Sequence, residues 1–285
     1  MEYKVKTQTG LPRKDGQVSK TKVNYGKIVS TGLLSLVLSL AFGVSGQFVY
    51  NFYRYDPFIV DGESMYPILN YDTKITYADG TTFEDPKNTW SKGDFNSTAT
   101  YICDYCLMDT KKGFEKKIER FDIAITYYAS DYDSDGKLKD TASLKVKRVI
   151  GLPGETIKFD VDGSLYIRGT GEIEYTYVDQ YFLTYEYNKN DRPLVDESWY
   201  ELARKETTNG KVITYTLLDD EYYLVGDNRR LGASLDSRST LVGAIKESYL
   251  VGKAITKLSK CSYIPGQKPK VLFRDYILPW RLKEL

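Results

Sequence analysis

The chain is predicted to be an all-β domain preceded by one apolar helix, and three observations carry that prediction. Short runs rich in β-branched and aromatic residues recur along it, each closed by Gly, Asp, Asn or Pro. The sequence holds 26 tyrosines, a residue suited to half-exposed strands. No helix-period pattern approaches the length of a single uncharged stretch near the N-terminus.

The elements follow in order. Residues 1–27 carry Lys4, Lys6, Arg13, Lys14, Lys20, Lys22 and Lys27 against Glu2 and Asp15. From Ile28 to Tyr50 no charge occurs, and leucine, valine and phenylalanine dominate. About 20 such residues cross the hydrocarbon core as a helix. A cleaved secretory signal has the same basic-then-apolar order, but its apolar core is shorter, and Gly43-Val44-Ser45-Gly46-Gln47 is a poor small-residue cleavage site. The reading is a retained anchor over 28–50. Lysine-rich flanks stay cytoplasmic, so 1–27 is a cytoplasmic tail and 51–285 an extracytoplasmic domain, single-pass in the plasma membrane. The lipid bilayer is one partner.

Beyond the span, strands are predicted at Thr73–Tyr77, Phe121–Tyr128, Ser143–Ile150, Thr156–Asp160, Ser164–Ile167, Glu221–Val225 and Ser248–Leu258. Two stretches look like insertions: the polar, weakly periodic segment 78–117, and the tyrosine-rich, acidic segment 169–219, which reads as an inserted subdomain.

Net charge is +1, which gives no reason to expect a nucleic-acid partner. Cys103-Asp104-Tyr105-Cys106 has redox or metal-ligand spacing. A structural zinc needs four ligands, and with no histidine and only Cys261 left, no metal is expected; a strained loop disulfide or free thiols remain. Asp131-Tyr132-Asp133-Ser134-Asp135-Gly136 matches the first half of a calcium loop, but the twelfth position is Ala142. An acidic turn between two strands explains the same residues. No cofactor is expected.

Two segments carry chemistry: Gly62-Glu63-Ser64-Met65-Tyr66-Pro67 and Lys145-Val146-Lys147-Arg148-Val149-Ile150-Gly151-Leu152-Pro153-Gly154-Glu155. A serine hydroxyl attacks only when a base takes its proton. The absence of histidine excludes a Ser-His-Asp triad, leaving a lysine as the candidate base. Neutralising a free lysine at pH 7 costs roughly 4–5 kcal/mol, so the base should lie in a dry pocket, where burial lowers its pKa. Strand alternation puts Lys145 and Lys147 on one face, and spacing does not choose between them.

These segments, with Tyr55–Leu69, Arg120-Phe121-Asp122-Ile123, Gly226-Asp227-Asn228-Arg229 and Ser234-Leu235-Asp236-Ser237-Arg238, resemble the type I signal peptidases, the bacterial leader peptidase family. The resemblance runs in four blocks, in order, from the apolar span to about Lys257. It implies a signal-peptidase-type, β-rich catalytic domain and a membrane-bound serine endopeptidase that cleaves signal peptides from exported preproteins. It implies Ser64 as nucleophile and Lys147 as base, with Lys145 a solvated neighbour. It further implies that the Ser234 hydroxyl contacts the lysine amine, that Asp236 and Arg238 with Arg148 form a supporting salt-bridge cluster, and that Asp227 and Asn228 shape the adjoining loop. By alignment, Phe58, Val60, Met65, Leu69 and Val146 would line a shallow apolar pocket for the small residues at the cut, or serve as ordinary core.

Two departures stand out. Arg229-Arg230-Leu231-Gly232-Ala233 is two residues longer than the usual run, so this loop must bulge. Gly62 stands where some relatives have a serine that helps bind the oxyanion, leaving the Ser64 N–H, with Gly62 or a water as the second donor. A second reading is a non-proteolytic, signal-peptidase-like assembly factor or chaperone for surface pili. Pilus or secretion components would then be its partners. The presence of both Ser64 and Lys147 favours the protease.

Overall fold

A computed structural model describes residues 25–70, 74–83, 99–110, 118–178 and 204–264. The chain divides into two compact units, residues 1–46 and 47–285. Helix α1 (Tyr25–Arg54) begins in the first. Within it Leu33–Arg54 is long and apolar enough to cross a bilayer, and Leu34, Leu40 and Phe42 are exposed along it. The helix extends past both ends of the expected 28–50. The basic tail before residue 25 lies outside the described residues.

The second unit is built of strands, in chain order β1 (Tyr55–Val60), β2 (Lys74–Thr76), β3 (Thr82–Phe83), β4 (Thr100–Asp109), β5 (Ile123–Thr126), β6 (Lys145–Gly151), β7 (Thr156–Phe159), β8 (Leu165–Arg168), β9 (Thr176–Val178), β10 (Ile213–Thr216), β11 (Glu221–Val225), β12 (Ile245–Lys246) and β13 (Leu250–Tyr263). The larger sheet runs β12-β11-β6-β5-β13-β4-β2-β3, with β1 also paired to β4. A smaller sheet runs β10-β7-β8-β9. Among the described residues the fold is mostly β beyond α1, as expected, with only short helical turns besides.

Strand β13 pairs with β5 at its start and with β4 over the rest. Register shifts at Leu250/Gly252, Ala254/Thr256 and Lys257/Ser259 mark bulges, which raise the local twist of a strand. Strand β4 lies inside 78–117, the stretch read as an insertion, yet it pairs with β1, β2 and β13. Its buried Asp104 hid it, because a carboxylate in mid-strand reads as a surface turn. In the fold that carboxylate is paired with Lys257 and Lys260 of β13.

The loop-disulfide expectation is corrected by the same strand. Cys103 and Cys106 are free, buried and in β4 rather than in a loop. Three positions apart on a strand, they point to opposite faces. The acidic run is a turn: Asp133 Oδ1 accepts the N–H groups of Asp135 and Lys137, and Gly136 takes a φ of 74°. Of 169–219, the described ends supply β9 and β10 to the smaller sheet; residues 179–203 lie outside the described residues.

One core cluster sets the site. Phe58 and Val60 of β1, Met65 and Leu69 of the following turn, and Ile123 and Ile125 of β5 pack together. Burying each such side chain contributes roughly 1.5–3 kcal/mol. The residue after Ser64 is thus a fully buried anchor, holding the turn against the sheet while Ser64 stays partly open.

Candidate active site

Ser64 sits in the turn that leaves β1. The turn is closed by Tyr66 N–H to the Glu63 carbonyl at 2.9 Å and Leu69 N–H to the Met65 carbonyl at 2.8 Å. Lys147 lies in the middle of β6, opposite Ala124 of β5. Its Nζ donates to Ser64 Oγ at 2.9 Å and to the Val146 carbonyl at 3.0 Å. The residue is 5 % exposed. Burial pulls its pKa from 10.5 down to about 8, helped by the positive charges of Lys145 and Arg238 and opposed by Asp236 and Asp227.

Lys145 differs from the sequence expectation of a solvated neighbour. Its Nζ reaches both Asp131 oxygens, at 2.6 and 2.7 Å, and lies 5.1 Å from the Tyr128 ring centroid. Its amine is thus directed at Asp131 and Ser143, while the contact to Ser64 Oγ is made by Lys147. Geometry therefore separates the two lysines that spacing left equivalent.

The supporting residues divide into two ion pairs, not one cluster. Arg148 makes a two-pronged contact with Asp227 at 2.7 and 2.6 Å and donates to the Phe121 carbonyl. Arg238 pairs with Asp236 at 2.9 Å, and Asp236 also accepts the Gly226 N–H. Arg148 follows Lys147, so strand alternation turns it to the other face, where it meets the end of β11. Burial raises the Asp236 pKa, but Arg238, Ser234 and the Gly226 N–H outweigh it and hold the carboxyl below its usual value.

Ser234 is brought beside the site without the expected contact. Its Oγ is buried next to Asp236 and makes no hydrogen bond to Lys147. Gly226 is what lets this loop approach: a Cβ there would overlap both Ser234 Oγ and the Ser64 carbonyl oxygen. The long loop bulges as expected, through a turn closed by Ala233 N–H to the Arg230 carbonyl, with Gly232 at a φ of 82° and Leu231 exposed.

Asn228 does more than shape a loop. Its N–H donates to the Ser64 carbonyl at 3.0 Å and its Nδ2 to the Glu63 carbonyl at 3.3 Å. Phe58, Val60, Met65, Leu69 and Val146 do come together in one cluster, where Met65 and Leu69 are closed to solvent. Glu63, which the sequence reading passed over, is pushed up to about 7 by burial, against the pull of Arg230. Its position beside the nucleophile was the available signal.

A family model described as signal peptidase, peptidase S26, matches residues 30–258. The chain belongs to the signal peptidase family. It is 31 % identical over 155 residues to signal peptidase I of Streptococcus pneumoniae serotype 4, covering 50 % of this chain and 68 % of that protein. For signal peptidase I of a second S. pneumoniae strain it is 31 % over 151 residues, 48 % and 66 %. A crystal structure of a signal peptidase I from Enterococcus faecalis aligns at 26 % identity and a TM-score of 0.30, covering 48 % of this chain and 97 % of that one.

Proposed function

We propose that the protein is a membrane-anchored serine endopeptidase that removes signal peptides from exported preproteins by a Ser-Lys dyad. The observation that supports it most is the 2.9 Å contact between Lys147 Nζ and Ser64 Oγ, with the lysine buried and its pKa lowered to about 8. Ser64 Oγ attacks the scissile carbonyl while neutral Lys147 accepts its proton. Lys147 then passes that proton to the leaving amine; neutral again, the Lys147 amine deprotonates a water that hydrolyses the acyl-enzyme, and returns the proton to Ser64 Oγ. The Ser64 backbone N–H is the oxyanion donor nearest the chemistry. The helix α1 keeps the site close to substrates whose own apolar segment lies in the bilayer, with the catalytic unit outside and the basic tail inside. The pilus-chaperone reading has no observation in its favour, because both dyad residues are in place.

The test is cleavage of purified preproteins by the detergent-solubilised enzyme, with the cut bond mapped by mass spectrometry. Wild type should cut after a small residue, and Ser64→Ala should leave every preprotein intact. Intact preproteins with wild type, or cutting by Ser64→Ala, would reject the proposal.

The pH profile should carry an acidic limb near 8, since only neutral Lys147 accepts the proton and its neutral fraction rises with pH. Glu63 also titrates near this range, so the limb is assigned by substitution. Glu63→Gln should leave it in place. Lys145→Met should keep most activity and move the limb upward, because removing a positive charge makes the Lys147 ammonium easier to hold. A limb that disappears with Glu63→Gln assigns it to the carboxyl and not to the lysine.

A further inference from the structure

We infer that Asn70 is a positioning residue for the nucleophile, acting as a buried clamp on the turn that presents Ser64. The inference rests on Ser64 being the nucleophile. The turn leaves β1 at Val60 and ends at Asn70, and the Asn70 amide ties its two ends together. Nδ2 donates to the Val60 carbonyl at 2.5 Å and to the Gly62 carbonyl at 3.0 Å. Oδ1 accepts the Asp104 N–H at 2.7 Å, and the Asn70 N–H donates to Asp104 Oδ2 at 2.7 Å. Both Nδ2 hydrogens and Oδ1 are thus engaged. Asn70 and Asp104 are both 0 % exposed, so no water replaces these bonds cheaply.

The network continues into the sheet. Asp104 is central in β4, and its other oxygen faces Lys257 and Lys260 of β13 at 2.7 and 3.0 Å. The clamp therefore anchors the turn to two strands that carry neither Ser64 nor Lys147.

The residue it restrains matters. Gly62 stands two before Ser64, has no Cβ, and has open space on the side where one would project. Glycine is the most conformationally free residue, and nothing of its own fixes the Gly62–Glu63 peptide plane. The bond from Asn70 to the Gly62 carbonyl fixes that plane from behind. Asn70 itself takes a φ of 62°, a left-handed conformation that asparagine tolerates better than most residues. An asparagine is thus suited to this position both by its backbone and by an amide that both donates and accepts.

The experiment compares wild type, Asn70→Gly, and Ile167→Ala as a destabilised control in the smaller sheet, each as the full chain in detergent. Glycine keeps the left-handed backbone and removes only the clamp. Asn70→Gly should lower kcat by roughly 30–100-fold, the scale of a small misplacement of a reacting group. KM should stay within about three-fold and the acidic limb unmoved, since substrate contacts and Lys147 on β6 are untouched. Hydrogen exchange should quicken about ten-fold or more at Glu63, Ser64 and Met65 and not in β13, a pattern of local loosening. Ile167→Ala should lose thermal stability with kcat retained. Should Asn70→Gly fail to fold, Asn70→Ser, whose hydroxyl keeps one bond, takes its place with the same readouts. Unchanged exchange at 63–65, or a kcat that falls with melting temperature alike in both variants, overturns the clamp. If wild type cleaves no preprotein, the functional reading fails, and the exchange comparison alone decides whether Asn70 restrains the turn.

Discussion

Lys147→Met should abolish preprotein cleavage and at the same time make the protein more stable at neutral pH. The first effect follows, on the proposed reading, from removing the amine in contact with Ser64 Oγ, and a loss of about 10²–10⁴-fold is expected for a general base. The second follows from linkage. The folded pKa of Lys147 lies near 8 against 10.5 for the free group. A lysine whose folded pKa is lowered costs stability below the unfolded value. That cost grows as pH falls from 10.5 to 8 and is constant below 8. At pH 7 it is about 3 kcal/mol. Methionine keeps a similar shape without the charge, but gives up the hydrogen bonds to Ser64 and the Val146 carbonyl, each contributing about 1 kcal/mol. A net gain of about 1 kcal/mol remains, a rise of roughly 2–4 °C in melting temperature for a domain of this size. Thermal melts at pH 7 and pH 10.5 check it: the variant should melt above wild type at pH 7 and lose that advantage at pH 10.5. A variant that melts lower at pH 7 would show that burial does not disfavour the Lys147 ammonium as its lowered pKa requires, and the proton-acceptor role would lose its physical basis.

The sequence made the Ser64–Lys147 contact legible because the chemistry it suggests is compositional. Without a histidine, a lysine was the candidate base for Ser64, and the segment 145–155 narrowed the choice to Lys145 and Lys147. The resemblance pointed to Lys147, but the contact that separates the two in the fold is not local. Lys145 is occupied by Asp131, 14 residues earlier and across a turn, and no pattern along β6 encodes that pairing. Strands with regular apolar or β-branched content were legible, and β5, β6, β7 and β11 fall where expected. Strand β4 was not, because its Asp104 makes sense only beside lysines of β13 more than 150 residues later. Ser234 shows the limit of reading by resemblance: the block was found, but its hydroxyl lies beside Asp236 and not on the lysine.

The Arg148–Asp227 pair is the other place where one substitution should have a large effect. Their side chains are 8 % and 0 % exposed, so each charge relies on the other in place of water. Removing one partner of such a pair leaves an uncompensated buried charge, at a cost of roughly 3–5 kcal/mol. Asp227→Ala should therefore lower the melting temperature by about 10 °C. It should also reduce kcat, because the next residue, Asn228, holds the Ser64 carbonyl through its N–H. Arg148 has a second duty that Asp227 lacks. Its Nη1 holds the Phe121 carbonyl at 2.6 Å, and Phe121 sits at a φ of 73°, strained for an aromatic residue. Arg148→Ala should thus lose at least as much stability as Asp227→Ala. The double variant Arg148→Met with Asp227→Leu decides what the pair is for. Apolar replacement of both partners of a buried pair is often neutral or stabilising, so it should melt above Asp227→Ala. Activity should not return with stability, since Met and Leu do not set the Asn228 loop against the nucleophile turn. A double variant that regains both would show the pair to be packing alone. One that regains neither would place the loss in the bare Phe121 carbonyl. The expected split, stability recovered and kcat still low, would mark the pair as the strut that fixes Asn228 against Ser64.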